Sequence, residues 1–293
     1  MVEHFAAPPQ WEWYIVWYFF LGGIAGGAYA LGAILRLLGT PRDEAAARLA
    51  FLVAFPAMAI CPLLLTLDLG RPLRFWHMLV DSRTLGLNFK YWSPMSVGAW
   101  ALFVFGAFAT VSFIDALVLE GWLGHPVAVR VSRFLREGAG RLFVAVGAVL
   151  GLFLAGYTGV LLSVSNQPIW SDTWALGGLF LASGLSAAAA AIALVAHARP
   201  DGEAARRKLS RADRYFIALE LLLLVVFFAT LGSAASRFFA GQWIALWVIV
   251  LAGTLAPLAM RGSGQRGSSV LACLLVLLGG LALRIVVVFG AQI

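Results

Sequence analysis

Apolar residues gather into eight long runs separated by polar breaks. The runs cover approximately 14–38, 47–67, 93–118, 140–164, 173–196, 213–232, 243–260 and 269–289. A helix needs about 20 apolar residues to cross the hydrocarbon core. Backbone groups in lipid must bond internally, so the runs predict helices. The shortest, 243–260, contains Pro257. The chain therefore reads as an all-α integral membrane protein of eight transmembrane helices. Residues 1–293 form one membrane domain, expected as two four-helix bundles.

Composition supports this reading. Only 12% of residues are charged and 62% are hydrophobic, whereas a soluble domain carries about 25% charged residues. A cleaved signal peptide would begin with basic residues. Here the first basic residue is Arg36, and Glu3 and Glu12 precede the first run. That run is expected to stay in the mature protein.

The net charge of +7 is a topology signal. With the N-terminus outside, Arg36, Arg42, Arg48, Arg130, Arg133, Arg136, Arg141, Arg199, Arg206, Arg207, Lys208, Arg211, Arg214, Arg261 and Arg266 fall on the inner side. Arg71, Arg74, Arg83, Lys90 and Arg237 fall outside, and Arg284 lies within the last run. Inner loops are enriched in Lys and Arg, so both termini are predicted outside. No nucleic-acid partner is required. The Arg-rich connections near 119–139 and 197–212 read as solvated or headgroup-facing segments. The outer connection, 68–92, is longer and carries Trp76, Tyr91 and Trp92. Most tryptophans fall towards the outer face, more than a plain interfacial belt needs, which suits a partner-docking or flat-ligand surface.

Several residues could carry chemistry. Gly22–Gly26 and Gly23–Gly27 are interleaved GxxxG pairs, which allow a helix or a flat ring to approach closely. Tyr14 and Tyr18 lie one turn apart, and Tyr18 could be an interfacial belt residue or could donate to a quinone carbonyl. Asp68 and Arg71 are three apart and could pair across a helical turn. With Arg74, His77, Asp81 and Lys90 nearby, that region could also pass protons. Tyr157 is a phenol at membrane depth whose partner is a helix backbone or a ligand. Glu220 and Arg284 are intramembrane charges, and Glu220 either pairs with an arginine or relays protons. Asp115 sits near the inner end of its run, where it could face the cytoplasm.

Some chemistries are not expected. Cys61 and Cys273 are too few for an iron–sulfur cluster, which needs about four thiolates. His4, His77, His125 and His197 avoid the middle of every run, so a haem held by two histidines is not expected. No metal-ligand cluster is apparent, and no metal site is assigned.

Six runs carry a resemblance. They are FFLGGIAGGAY at 19–29, DLGRPLRFWHML at 68–79, YWSPMSVGAWAL at 91–102, YTGVLLSVSNQPIW at 157–170, LFLASGLSAA at 179–188 and LRIVVVFGAQ at 283–292. In order and over nearly the whole chain, they resemble the polysulfide reductase membrane-subunit family, also called NrfD-type. The resemblance implies a multi-pass, haem-free subunit of a bacterial or archaeal cytoplasmic membrane that binds menaquinone or ubiquinone near its outer face. It implies two partners: a four-cluster iron–sulfur subunit on the outer side, and a molybdopterin subunit holding molybdenum or tungsten. The family's quinone-binding tyrosine in the fourth span matches Tyr157. A histidine and an asparagine on the family's first span fall here at Tyr18 and Ile15, so only Tyr18 can still donate.

The expected function is therefore a quinone-reactive anchor that oxidises quinol or reduces quinone for an oxidoreductase complex. Tyr157, Tyr18, Gly23, Gly27 and Arg71 are the expected quinone-site residues, and Asp68, His77 and Glu220 the expected proton-transfer residues. The alternative is a small-solute or ion transporter.

Overall fold

The computed structural model describes residues 10–199, 202–239, 241, 243–260 and 266–292. Glu3, His4 and Arg261 lie outside these residues. The described residues form nine α-helices: α1 Trp13–Leu38, α2 Glu44–Asp68, α3 Pro94–Leu119, α4 Pro126–Arg136, α5 Gly138–Ser163, α6 Leu176–His197, α7 Glu203–Leu231, α8 Trp243–Met260 and α9 Arg266–Gly290. All except α4 are long and apolar enough to cross a membrane. The eight expected spans are thus present, including the short α8 with Pro257 inside it. Pro56 and Pro62 likewise sit inside α2. Membrane helices tolerate such prolines because neighbours and local adjustments satisfy the freed carbonyls.

α1, α2, α3 and α5 pack on one another, and α6 to α9 form the second half. α1 also contacts α6 and α9, and α5 contacts α6, so the two halves share a wide seam. α1 is the central element. Its most apolar stretch is 89% buried, against 28% for that of α7. Lipid tails are as apolar as leucine, so close van der Waals packing must hold such helices together. Gly26 and Gly151 provide it between α1 and α5: a Cβ on Gly26 would overlap the Gly151 carbonyl.

The first and last of the described residues meet on one face, where Trp11 precedes α1 and Gln292 follows α9. The Trp11 N–H donates to Gln292 Oε1 at 2.7 Å, and Gln292 Nε2 donates back to the Trp11 carbonyl at 3.2 Å. Trp170 stacks on Trp11 at 5.0 Å and donates its indole N–H to the Val287 carbonyl. Part of the tryptophan excess is thus structural: Trp170, Trp243 and Trp247 are buried, whereas Trp76, Trp92 and Trp174 remain exposed. We call this side the terminal face.

The opposite face is laced by ions. Arg36 holds Asp115 at 2.5 Å and Glu44 at 2.6 Å, while Arg48 and Arg199 converge on Glu120. Asp115 is fully buried. The expectation that it faces the cytoplasm is corrected, because a carboxylate at that depth needs a cation and Arg36 of α1 supplies it.

Two connections differ from expectation. The 119–139 segment contains α4, whose Ala128, Ser132 and Leu135 are buried while Val127 and Phe134 stay exposed. Its arginines recur every three residues, so average hydropathy hides a two-faced helix. α7 begins at Glu203, ten residues before the predicted span, and so absorbs most of the polar 197–212 connection. A helix outside the apolar layer needs no apolar run to persist.

Candidate functional site

Two tyrosines approach each other within the membrane-spanning helices, towards the terminal face. Tyr157 projects from α5 and is buried. Its hydroxyl donates to the Pro94 carbonyl in the first turn of α3. Its ring stacks on Phe153 at 5.6 Å. The ring lies flat against α3 because residue 98 is glycine: a Cβ there would coincide with the phenol. Tyr18 projects from α1, is also buried, and is close enough to Tyr157 for the two to interact electrostatically. Its hydroxyl makes no hydrogen bond among the described residues.

The wall beside Tyr18 is small and apolar. A Cβ on Gly22 would stand 3.8 Å from the Tyr18 ring, 3.9 Å from the Thr158 methyl and 4.0 Å from the Cys61 sulfur. Thr158 Oγ1 and the Cys61 thiol both donate back to their own helices, at Ala155 and Ala57. Thr158 turns its methyl towards Gly22, and Cys61 its sulfur, whose hydrogen is already committed to the Ala57 carbonyl. Ile15, one turn before Tyr18, is buried and offers no polar atom.

The 68–92 segment caps this region. α2 ends at Asp68, and Leu69 already has extended backbone (φ −71°, ψ 128°). The expected Asp68–Arg71 pair is therefore corrected. The chain leaves the helix between the two residues, so their spacing no longer places them on one face. Arg71 is exposed and forms no ion pair among the described residues. Asp68 is half-buried, and the charge it feels most strongly is the Glu12 carboxylate at the start of α1.

His77 lies in the 3₁₀ turn Pro72–Met78, half-buried, with its ring edge on Trp76 at 3.9 Å. Asn88 Nδ2 donates to the His77 carbonyl at 2.9 Å, and the Trp100 indole donates to the Asn88 carbonyl at 3.1 Å. These bonds fasten the segment to α3. The Arg83 N–H holds the Asp81 carboxyl below its usual range, so Asp81 stays ionised at neutral pH. Leu73, Leu85, Leu87, Tyr91 and Trp92 of this segment are all more than two-thirds exposed.

Glu220 lies elsewhere, on the other side of α1. Ser183 of α6 hydrogen-bonds it, and Arg284 of α9 is its nearest cation. Arg284 is fully buried. It donates to the Phe19 carbonyl at 3.1 Å, the Gly280 carbonyl at 2.7 Å and Ser183 Oγ at 3.2 Å. Its guanidinium also lies over Phe180 at 5.1 Å. Gly23 makes room for it: a Cβ there would come within 2.8 Å of Arg284 Nη2 and 3.3 Å of the Gly184 Cα. Gly27 packs on Ala188 and the Gly184 carbonyl in the same way.

The two GxxxG pairs thus serve different neighbours, Gly22 and Gly26 towards α5, Gly23 and Gly27 towards α6. Of the expected quinone-site residues, the structure brings Tyr18 and Tyr157 together. It sets Gly23 and Gly27 against Arg284 and α6, and leaves Arg71 on the surface.

Sequence reasoning missed Asp213. It is buried, and Ser186 donates to it at 2.6 Å. The available signal was its spacing: seven residues before Glu220 on one helix, it falls on the same face. Among the described residues no three His, Cys, Asp or Glu side chains converge as for a metal ion. His125 caps α4, and His197 ends α6 with Nδ1 2.7 Å from the Ala193 carbonyl.

Comparison with known proteins agrees with this architecture. The family described as "Polysulphide reductase, NrfD" matches residues 3–293. Protein NrfD of Escherichia coli (strain K12) is 27% identical, over 97% of this chain and 95% of its own length. A polysulfide reductase polypeptide of Wolinella succinogenes is 28% identical, over 96% of this chain and 94% of its own. A selenate reductase subunit of Mesobacillus selenatarsenatis is 29% identical over a shorter stretch, 32% of this chain and 20% of its own. With the match running from residue 3 to residue 293 over eight apolar helices, this multi-pass membrane protein belongs to the NrfD polysulphide reductase family.

Proposed function

We propose that this chain is the quinone-reactive membrane subunit of a multi-subunit oxidoreductase. In this reading the terminal face is the outer face, as the uneven distribution of Lys and Arg supports. Electrons pass between a menaquinone or ubiquinone beside Tyr18 and Tyr157 and an iron–sulfur subunit docked on the exposed aromatic surface of 68–92. That subunit in turn serves a molybdopterin subunit holding molybdenum or tungsten. The relatives named as parts of reductases support such an assembly. Reaction with the dissolved substrate belongs to the molybdopterin partner.

The observation that carries the reading is the Tyr18 hydroxyl. A buried phenol normally has a hydrogen-bond partner. Tyr18 has none among the described residues, and it stands beside a second tyrosine and a flat, small-residue wall. A quinone has a flat ring and two carbonyl acceptors, and this arrangement suits both. When bound, it supplies two-electron redox chemistry with uptake or release of two protons. Tyr18 donates to a ring carbonyl. Tyr157, held by the Pro94 carbonyl, fixes the opposite wall and offers its phenol oxygen. Asp68 and His77, half-buried at the outer edge, exchange protons with the outside. Glu220 serves the inner side.

Two measurements test the reading. The chain isolated under mild conditions from native membranes brings iron and molybdenum or tungsten with it, and Tyr18→Phe lowers quinone-linked turnover. Isolation alone, together with solute movement in vesicles, would support a transporter instead.

A further inference from the structure

Opposite the terminal face, many cations already have a carboxylate. Arg36 binds Glu44 and Asp115, Arg48 and Arg199 bind Glu120, and Lys208 binds Asp43. The arginines of α4 and of the first turn of α5 are different. Arg130, Arg133 and Arg141 are exposed, and their side chains form no ion pair or hydrogen bond among the described residues. Arg136 folds back on Ser132 of its own helix. Glu137, which joins the two helices, is exposed and forms no ion pair among the described residues either. Four arginines against one carboxylate leave this patch with a net charge of +3.

The patch lies where the membrane surface must be. The exposed apolar row of α5, Leu142, Val146, Val149 and Phe153, begins directly after Arg141. At about 1.5 Å per residue, the 26 residues of α5 exceed a hydrocarbon core of about 30 Å, so its first turn reaches the headgroups. The exposed arginines keep α4 out of the core, and its packing on α3 and α5 keeps it from standing clear of the membrane. Around the α4 axis, at about 100° per residue, Ala128, Ser132 and Leu135 form the buried face. Arg130 and Arg133 lie on the opposite side. Val127 and Phe134, both exposed, share the edge between. Trp122, exposed just before α4, suits the same level.

We propose that α4 is an interfacial helix that binds anionic phospholipid headgroups. Val127 and Phe134 enter the upper acyl chains, while Arg130, Arg133 and Arg141 take phosphate oxygens above them. A guanidinium suits this role because it can hold two oxygens of one phosphate. The patch joins a positive surface to an apolar edge. An anionic lipid complements both, whereas a zwitterionic headgroup brings its own cation and a free phosphate lacks the chains. Near such a surface each arginine is worth roughly fivefold in affinity. Quinone binding elsewhere in the bundle plays no part in it.

A quencher carried by the lipid tests this in the full chain. Val127→Cys is labelled with bimane and reconstituted in phosphatidylcholine vesicles. The vesicles contain either phosphatidylglycerol or phosphatidylcholine spin-labelled near the headgroup end of one chain. Wild type taken through the same labelling gives the background from Cys61 and Cys273, which are buried. The phosphatidylglycerol probe is expected to quench at a content at least about tenfold lower than the phosphatidylcholine probe, and salt at about 0.5 M to shrink that preference. With Arg130→Gln, Arg133→Gln and Arg141→Gln combined, all at exposed positions, the preference is expected to vanish while quenching by the phosphatidylcholine probe persists. Equal quenching by the two probes with the arginines intact would show ordinary lipid contact and overturn the headgroup site. Quenching by aqueous iodide and by neither lipid would place α4 in water, open to an acidic soluble protein, and overturn it too. A preference that survives the triple substitution would move the site to other arginines. Native mass spectrometry of the unlabelled proteins titrated with phosphatidylglycerol repeats the comparison without the added cysteine, and equal lipid retention by wild type and the triple variant would again overturn the assignment.

Discussion

Adjacent glycines on α1 predict opposite responses to the same small change. At Gly22 an added methyl would stand 3.8–4.0 Å from Tyr18, Thr158 and Cys61, which is ordinary contact. At Gly23 it would stand 2.8 Å from Arg284 Nη2 and 3.3 Å from the Gly184 Cα. There the guanidinium must retreat or α1 and α6 must part. Overpacking a filled interior costs about 1–3 kcal/mol. Loss of one charge-assisted bond of Arg284 adds roughly 1.5–3 kcal/mol. The helical preference of alanine over glycine, about 1 kcal/mol in water, offsets little, because membrane helices persist when their bundle comes apart. Gly23→Ala should therefore destabilise by about 3 kcal/mol after partial relaxation. Gly22→Ala should stay within about 0.5 kcal/mol of wild type. Denaturation of the purified protein by SDS in mixed micelles, followed by near-ultraviolet circular dichroism, measures both. Equal losses in the two variants, or a neutral Gly23→Ala, would refute the assignment of the two glycine faces.

Other outcomes follow from the same geometry. Tyr18→Phe removes one donor, worth about 1 kcal/mol, and should lower quinone-linked kcat/KM roughly fivefold without moving the denaturation midpoint. Unchanged steady-state kinetics would remove Tyr18 from the quinone site. Gly98→Ala should displace the Tyr157 ring from α3 and free the Pro94 carbonyl, so that turnover falls about as far as in Tyr157→Phe and the double variant loses little more. Strictly additive losses would place the two residues in separate roles. Asp115→Asn strands the Arg36 charge beside Glu44 alone and should destabilise by about 3 kcal/mol, the lower end for a broken buried pair. A thermal-shift measurement in detergent checks it, and an unaltered midpoint would mean that Glu44 suffices.

The spans were legible because crossing a lipid layer imposes one demand, length with apolarity, that a linear scan detects directly. The same scan averages over faces. It could not see α4, where arginines every third residue lower the mean while Leu135 and Ala128 still pack inward. Nor could it tell a buried Asp115 from a solvated one, since the answer lies with Arg36, far away in sequence on α1. The Asp68–Arg71 spacing misled because a helical offset has meaning only while the helix continues, and α2 stops at Asp68. The tyrosines were singled out by residue type and depth together with the family resemblance, which alone pointed to Tyr157 rather than ordinary aromatic packing. The division of the glycines between α5 and α6 required the third dimension, as did the pairing of Asp213 with Ser186.

The central position of α1 has a consequence for how the protein is made. During synthesis it is the first of the described helices to leave the ribosome, yet in the finished molecule its most apolar stretch is 89% shielded by later ones. Its glycine faces wait for Gly151 on α5, Gly184 on α6 and Arg284 on α9. Until those segments arrive, the newborn helix has only lipid or the insertion machinery against its grooves. Maturation thus depends on the last helix delivering Arg284 to a slot opened by the first. A chain truncated before α9 would leave that slot unfilled, which makes it a natural substrate for membrane quality control.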